Sequence, residues 1–252
     1  MQIAFRVDAS ATIGTGHVMR CLTLADTLKQ LGARCTFISR HLPDYLQELV
    51  ESKGHKSIQI GDHSQPEQSD ALAHAHFLGT SQSQDATQTQ TILKALCPDW
   101  LIIDHYGIDQ RWETEMRPLA KKTLVVDDLA DRDHDCDLLV DQNLYADMRT
   151  RYLERIPPTS KALLGVQYTI LRSEFKEARQ HAQARTGDVR RLFIFFGGMD
   201  SANFTLPVLN ALAALRLQGI EVDVVIGPEH PTRDEVQSIC KKQTYTCHVQ
   251  TK

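Results

Sequence analysis

Short, unbroken apolar runs alternate with helix-patterned segments along almost the whole chain, and this alternation most limits the folds open to it. The runs are Ile3 to Val7, Cys35 to Ile38, Ser57 to Ile60, Trp100 to Ile103, Thr123 to Val126 and Leu138 to Val140. Helical spacing fills the intervals near His17 to Leu31, Pro43 to Lys53, Asp85 to Leu96 and Asp109 to Ala120. Strands that are apolar on both faces and separated by helices predict an α/β fold whose parallel sheet is covered on both sides. No fixed short period recurs, which argues against a solenoid. The Gln/Ser/His-rich piece from Gly61 to Gln90 is the least structured by pattern.

The first unit of this alternation carries the densest chemistry. Ile3, Phe5 and Val7 make a buried-type strand, Gly14 and Gly16 break it, and Val18, Cys21, Leu22, Ala25 and Leu28 restart at helical spacing. His17 therefore falls in the first turn of a helix, where free amides favour an anion. The loop lacks the third glycine of a dinucleotide fingerprint, and the second strand ends at Arg40 where that fold carries an acid for a ribose, so a nicotinamide or flavin enzyme is disfavoured. Four ionisable groups, Arg6, Asp8, His17 and Arg20, share this one unit. Strand ends further along add Asp104-His105-Tyr106-Gly107, Asp127-Asp128 and Asp141-Gln142-Asn143. Each could simply cap a helix or form a turn. Together with His17 they resemble a polar ligand site on the crevice that parallel strands share at their carboxyl ends.

His17 is the candidate general base, because an imidazole is largely neutral near pH 7 and a helix N-terminus disfavours its cation. Asp8 is the expected partner, orienting the tautomer and stabilising the imidazolium. No metal site is expected: His74 and His76 lack a third ligand at suitable spacing, and the loop from Asp127 to Asp137 with His134 and Cys136 fits no compact zinc or calcium pattern.

A second strand-glycine-helix unit begins at Arg191, with Leu192 to Phe196 as strand, Gly197-Gly198-Met199-Asp200-Ser201 as loop and an apolar helix to about Leu217. A strand at Val222 to Ile226, a helix from Thr232 to Cys240 and a strand at Tyr245 to Val249 follow. The polar, helix-prone stretch from Ser173 to Arg185 with the break at Thr186-Gly187-Asp188 reads as a connector between halves. Three strands and two helices fall short of the ~100 residues typical of such a domain, so the second half is expected to be small or truncated.

A net charge of -4 with dispersed Lys and Arg argues against a nucleic-acid or acidic-membrane partner. No run approaches the ~20 apolar residues of a membrane helix, and because a strand pattern starts at the third residue no signal peptide is expected. Six cysteines without C-x-x-C pairing are expected to be reduced thiols, largely in the core, of a cytoplasmic protein.

The motifs F-R-x-D-x-S-x-x-I-G-x-G-H-x-x-R (Phe5 to Arg20), I-I-D-H-Y-G (Ile102 to Gly107), Asp127-Asp128, D-x-N-x-Y (Asp141 to Tyr145), G-x-x-Y-x-x-L-R-x-E-F (Gly165 to Phe175) and F-G-G-x-D (Phe196 to Asp200) occur in order. Together, over essentially the whole chain, they resemble the UDP-2,4-diacetamido-2,4,6-trideoxy-β-L-altropyranose hydrolases of bacterial pseudaminic acid biosynthesis. That resemblance implies an α/β, GT-B-like fold with two Rossmann-like domains facing a cleft, the second incomplete here. Residues 1–172 would form the sugar-binding and catalytic domain, 173–187 the connector helix and 188–252 a partial nucleotide-binding domain. The implied reaction is inverting hydrolysis of the glycosidic C1–O bond of a UDP-activated amino sugar, without metal or cofactor, by a monomer, supplying flagellin glycosylation or a surface polysaccharide. Motif by motif, His17 would activate water, Tyr106 would lie beside the sugar, and Gly197 and Gly198 would admit the diphosphate to the backbone. Arg6, Gly14, Gly16, Arg20, Asp104, His105, Asn143, Arg172 and Asp200 would complete the substrate-binding set. The family's second domain continues into a further strand, a loop and helices absent here, so weak UDP binding and slow turnover are expected. Two other readings stand beside this one: a GT-B UDP-sugar glycosyltransferase, and a noncatalytic nucleotide-sugar-binding module.

Overall fold

A computed structural model describes residues 1–61, 70–148, 150–184, 186–198, 200, 202–215, 217–228 and 230–251. The chain divides into two compact units, Met1–His181 and Ala182–Lys252, each built on its own sheet.

In the first unit the strands are β1 (Gln2–Val7), β2 (Arg34–Ser39), β3 (Lys56–Gln59), β4 (Trp100–Asp104), β5 (Lys122–Val126), β6 (Leu138–Asp141) and β7 (Lys161–Leu164). All pair in parallel in the order β3-β2-β1-β4-β5-β6-β7. The helices are α1 (Gly16–Gln30), α2 (Asp44–Ser52), α3 (Gln82–Leu96), α4 (Gln110–Met116) and α5 (Ser173–His181). Strand alternation sends Ile3, Phe5 and Val7 into one layer with Val18 and Leu22 of α1 and Leu46 and Val50 of α2. Ala4 faces the other layer with Leu101 and Ile103 of β4, Leu93 of α3 and Trp112 of α4. Two buried layers on one sheet explain why these strands read as unbroken apolar runs. The sheet order reverses direction between β1 and β4, and such a switch point opens a crevice at the carboxyl ends of the two strands. Val7 and Asp104 pair across that point.

The second unit is a three-stranded parallel sheet in the order β10-β9-β8, formed by β8 (Arg191–Ile194), β9 (Glu221–Ile226) and β10 (Thr246–Thr251). Its helices α6 (Thr205–Ala214) and α7 (Arg233–Lys241) pack Leu206, Leu209 and Val236 against Ile194, Val222 and Val224.

Several boundaries differ from the sequence expectation. β7 was not anticipated. α3 starts at Gln82, inside the segment that pattern alone left unstructured, because Ser81 accepts the Gln84 N–H at 3.2 Å and caps it. Residues 62–69 of that segment lie outside the described residues, as do Met199 and Ser201 of the second glycine loop. β8 ends at Ile194, so Phe195 and Phe196 leave the strand, and α6 ends at Ala214 rather than near Leu217. The expected connector supplies α5, which groups with the first unit, and the division falls at Ala182. Of the cysteines, Cys21, Cys35, Cys136 and Cys240 are buried, Cys247 is half-buried and Cys97 is exposed, against the expectation of largely core thiols only at that last position.

Candidate active site

The loop from Asp8 to Thr15 is held by its own groups. Ser10 Oγ accepts the N–H groups of Thr12 and Ile13 at 3.2 and 3.1 Å, and Gly14 N donates to Ser10 O at 2.8 Å. Gly14 has φ +80°, a conformation that favours glycine, while a Cβ at Gly16 would meet nothing within 4 Å. α1 then begins without a side-chain cap at Thr15, and His17 occupies its first turn.

His17 is only 8% exposed, and its Nδ1 lies 2.6 Å from Asp104 Oδ1 at the end of β4. In that contact the Nδ1–H donates to the ionised carboxylate, which leaves Nε2 with its lone pair. Among the described residues nothing hydrogen-bonds to Nε2, nor is it a sealed orphan atom. Arg20, one turn further along α1, grips the same carboxylate through Nε at 2.5 Å and Nη2 at 2.6 Å. Burial alone would raise the Asp104 carboxyl, but the hydrogen bonds and charge of Arg20, with His17 adding to them, bring it down to about 2. Arg20 Nη1 also reaches Asp128 Oδ2 at 3.3 Å, and the Tyr106 hydroxyl donates to Asp128 Oδ1 at 2.5 Å. The Tyr106 ring meets the His17 ring edge-on, with centroids 4.6 Å apart and planes at 83°. On its other flanks Tyr106 touches His74, at 5.6 Å, and lies under the Arg132 guanidinium, at 5.7 Å.

Asp8 has a different role from the one expected. Its oxygens accept from Arg6 Nη1 at 2.7 Å and from the backbone N–H of Arg40 at 2.7 Å, with His105 Nε2 3.2 Å away. The carboxylate at His17 is therefore Asp104. Arg6 continues to Asp85, which also receives Arg40 and the Trp112 indole N–H at 3.0 Å. Arg6, Asp8, Asp85 and Arg40 are all 0% exposed, so neither Arg6 nor His105, 4% exposed, lies open to a ligand. Burial lowers the affinity of His105 for a second proton, in keeping with its Nδ1 accepting the Gly107 N–H at 3.0 Å.

The remaining expected site residues are dispersed. The half-buried Asn143 donates its backbone N–H to Asp141 Oδ1 at 3.0 Å. Arg172 is exposed over the Phe175 ring and lines a groove of about 850 Å³ between α1 and the start of α5, whose lining includes Met19, Thr23 and Lys176 but not His17, Arg20 or Asp104. In the second unit Gly197 has φ +87°, and Gly198 O accepts the Gly227 N–H at 2.8 Å, so close that a Cβ on Gly227 would lie 2.6 Å from that oxygen. Asp200, expected to bind substrate, instead accepts the N–H groups of Phe204 and Thr205 at 2.9 and 2.8 Å and caps α6. Burial would raise its carboxyl, but those amides and His230 hold it below the usual range.

Asp128, one of the strand-end acids that the sequence groups with His17, joins the cluster through Arg20 and Tyr106; no sequence pattern brings His74 to Tyr106.

No protein-family model matches the chain. It is 26% identical over 246 residues to an uncharacterized protein of Methanocaldococcus jannaschii, covering 96% of this chain and 46% of that one. The chain thus spans about half the length of this curated relative. It is 24% identical over 242 residues to the UDP-2,4-diacetamido-2,4,6-trideoxy-β-L-altropyranose hydrolase of Campylobacter jejuni, covering 96% of this chain and 75% of that enzyme. Among solved structures, Phytolacca americana UGT2 complexed with UDP-2-fluoro-glucose and pterostilbene aligns with a TM-score of 0.60 at 12% identity, over 99% of this chain and 71% of that one. Among the described residues no helix is long and apolar enough to cross a membrane. The fold is α/β and GT-B-like.

Proposed function

We propose that this chain processes a UDP-activated amino sugar by hydrolysis, with His17 as the base that activates water. The observation that carries the reading is the His17–Asp104 contact of 2.6 Å at the β1/β4 switch point, with Nε2 unpartnered among the described residues. A water that bonds to the anomeric carbon gives its proton to Nε2. The C1–O bond to the diphosphate breaks, and its electron pair leaves on UDP, a stable anion that needs no proton from the protein. The imidazolium formed is stabilised by the buried Asp104 carboxylate. Attack opposite the leaving group inverts the anomeric centre.

The similarity to the C. jejuni hydrolase supports this substrate and reaction, and the fold shared with a UDP-sugar-bound UGT2 supports a nucleotide sugar more broadly. The test is an NMR assay of the 252-residue chain with UDP-2,4-diacetamido-2,4,6-trideoxy-β-L-altropyranose, following UDP and the anomer of the free sugar. Stoichiometric release with inversion, reduced ~10²–10⁴-fold by His17→Ala with substrate binding retained, is expected. Release that ignores His17→Ala sinks the mechanism. Only slow background cleavage, accelerated by an added acceptor, would mark a transferase instead.

A further inference from the structure

The side chains around His17 close into a ring that includes one residue without a role in the mechanism above. His17 Nδ1 meets Asp104, Asp104 meets Arg20, Arg20 meets Asp128, Asp128 takes the Tyr106 hydroxyl proton, and the Tyr106 ring returns edge-on to His17. Asp128 is the far corner. It acts on His17 through two intermediaries, one ionic through Arg20 and one steric through Tyr106. Its own backbone is fixed, because Asp128 O accepts both the Tyr145 hydroxyl and Arg151 Nη2 at 2.9 Å, and Arg151 stacks 3.7 Å from the Tyr145 ring.

Charge makes the corner matter. Asp104 and Asp128 bring two negative charges and Arg20 one positive, so the ring carries a net negative charge while His17 is neutral. When His17 takes a proton the ring becomes neutral. Without Asp128, Arg20 would fully neutralise Asp104, and protonating His17 would leave a net positive cluster in a largely buried setting, which Coulomb repulsion penalises.

Resting on the reading of His17 as the base, we propose that Asp128 is a positioning residue for His17, setting both the orientation and the proton affinity of its imidazole through Tyr106 and Arg20. The groups around His17 are Asp104 at the end of β4 and Tyr106 after it, Arg20 and Cys21 on α1, and Asp128 after β5, with Arg132 and His74 behind Tyr106. Burial and Asp104 push the Cys21 thiol well up, so it stays neutral. Burial and Asp128 likewise push the Tyr106 phenol up, so it remains a donor to Asp128. Of these groups, Asp128 alone supplies a negative charge that Arg20 does not already spend on the carboxylate touching His17.

The test pairs Asp128→Asn, which keeps the shape and removes the charge, with Asp128→Ala, which removes the contacts to both intermediaries. NMR titration of the His17 imidazole in the free protein reads the effect without any substrate. Removing the Asp128 charge is expected to make His17 easier to deprotonate in both variants than in the unsubstituted chain. In turnover, Asp128→Ala is expected to lose about 10²-fold in kcat, with KM changed less than threefold, and the acid limb of kcat/KM should move down with the NMR value. An unchanged His17 titration in a folded Asp128→Asn protein overturns the proposal, whatever happens to thermal stability, because a merely structural Asp128 would alter only the latter. If hydrolysis persists in His17→Ala, the functional reading falls, yet the titration still decides whether Asp128 tunes His17.

Discussion

His17 owes its chemistry to the proton it carries on one nitrogen and lacks on the other. Asp104 fixes that choice from 2.6 Å, and Arg20 keeps the Asp104 carboxylate ionised well below neutral pH. Asp104→Asn preserves the size of the partner but offers an amide that can donate to Nδ1, which would turn the tautomer and put the proton on Nε2. Turnover is then expected to fall by about 10³–10⁴-fold with binding of the UDP-sugar nearly unchanged, read from kcat and from calorimetric titration. A loss of only a few-fold would mean that Asp104 is a bystander. Sequence reading located His17, Arg20 and Asp104 from their places after strands or in a helix turn. It assigned the wrong carboxylate to His17, because Asp8 lies nine residues away in the chain and Asp104 lies 87. Which of two strand-end acids meets an imidazole depends on side-chain direction across β1 and β4, and Arg6, one residue from the end of β1, had already claimed Asp8. Asp85 and Arg40, which complete that claim, come from a helix and from the end of a neighbouring strand, with nothing in local pattern to link them.

Between α4 and β6 a buried ion network ties elements together independently of the proposed chemistry. His134 Nδ1 lies 2.8 Å from Glu113 Oε1 of α4, its Nε2 lies 3.9 Å from Asp127 Oδ2, and Arg132 pairs with Asp127 at 2.9 Å. Burial would lower the His134 pKa, but the charge and hydrogen bond of Glu113, with the nearby Asp127 carboxylate adding to them, outweigh it and bring it up to about 9. The folded protein thus holds a proton on His134 to higher pH than the unfolded chain, where histidine releases it near ~6.5. The stabilisation is complete below that lower value and disappears as pH rises through about 9. It amounts to on the order of 3 kcal/mol for the first unit. Urea unfolding between pH 6 and pH 10 should show this loss, and His134→Gln should flatten it; equal slopes for both proteins would refute the linkage. The elements that join here were largely legible, since β4, β5 and β6 are unbroken apolar runs and α4 has helical spacing. β7 was not, because Lys161–Leu164 is a half-buried edge strand whose short run carries no alternation and no β-branched residue. The start of α3 was hidden for a related reason: its first turn, Gln82 to Asp85, is polar, and its buried Asp85 is paid for by Arg6 rather than by any apolar neighbour.

At the scale of the whole molecule the chain holds two separate hydrophobic systems, the double layer about β1 and β4 and the smaller cluster about β9. None of the residues of the second system occurs in the first, which is the condition for two units that unfold as distinct cooperative blocks. Between them, described residues 182–184, 186–190 are exposed and without helix or strand, and α5, which precedes them, buries none of its side chains. Backbone that makes no ladder and buries no apolar surface opens at little free-energy cost, so a protease should reach it before either sheet. Brief trypsin treatment is therefore expected to cut first between Arg179 and Arg190 and to leave the first unit intact by mass spectrometry. Its larger core should then persist to higher denaturant than the three-stranded unit, in which a single layer of two helices covers one sheet. Hydrogen exchange on the uncut chain provides the comparison: slow amides in β1 and β4, faster ones in β8 to β10, and no shared midpoint. First cuts inside β1 to β6, or a single transition common to both sheets, would show that the two cores are one cooperative system and that 182–190 is not a boundary in any energetic sense.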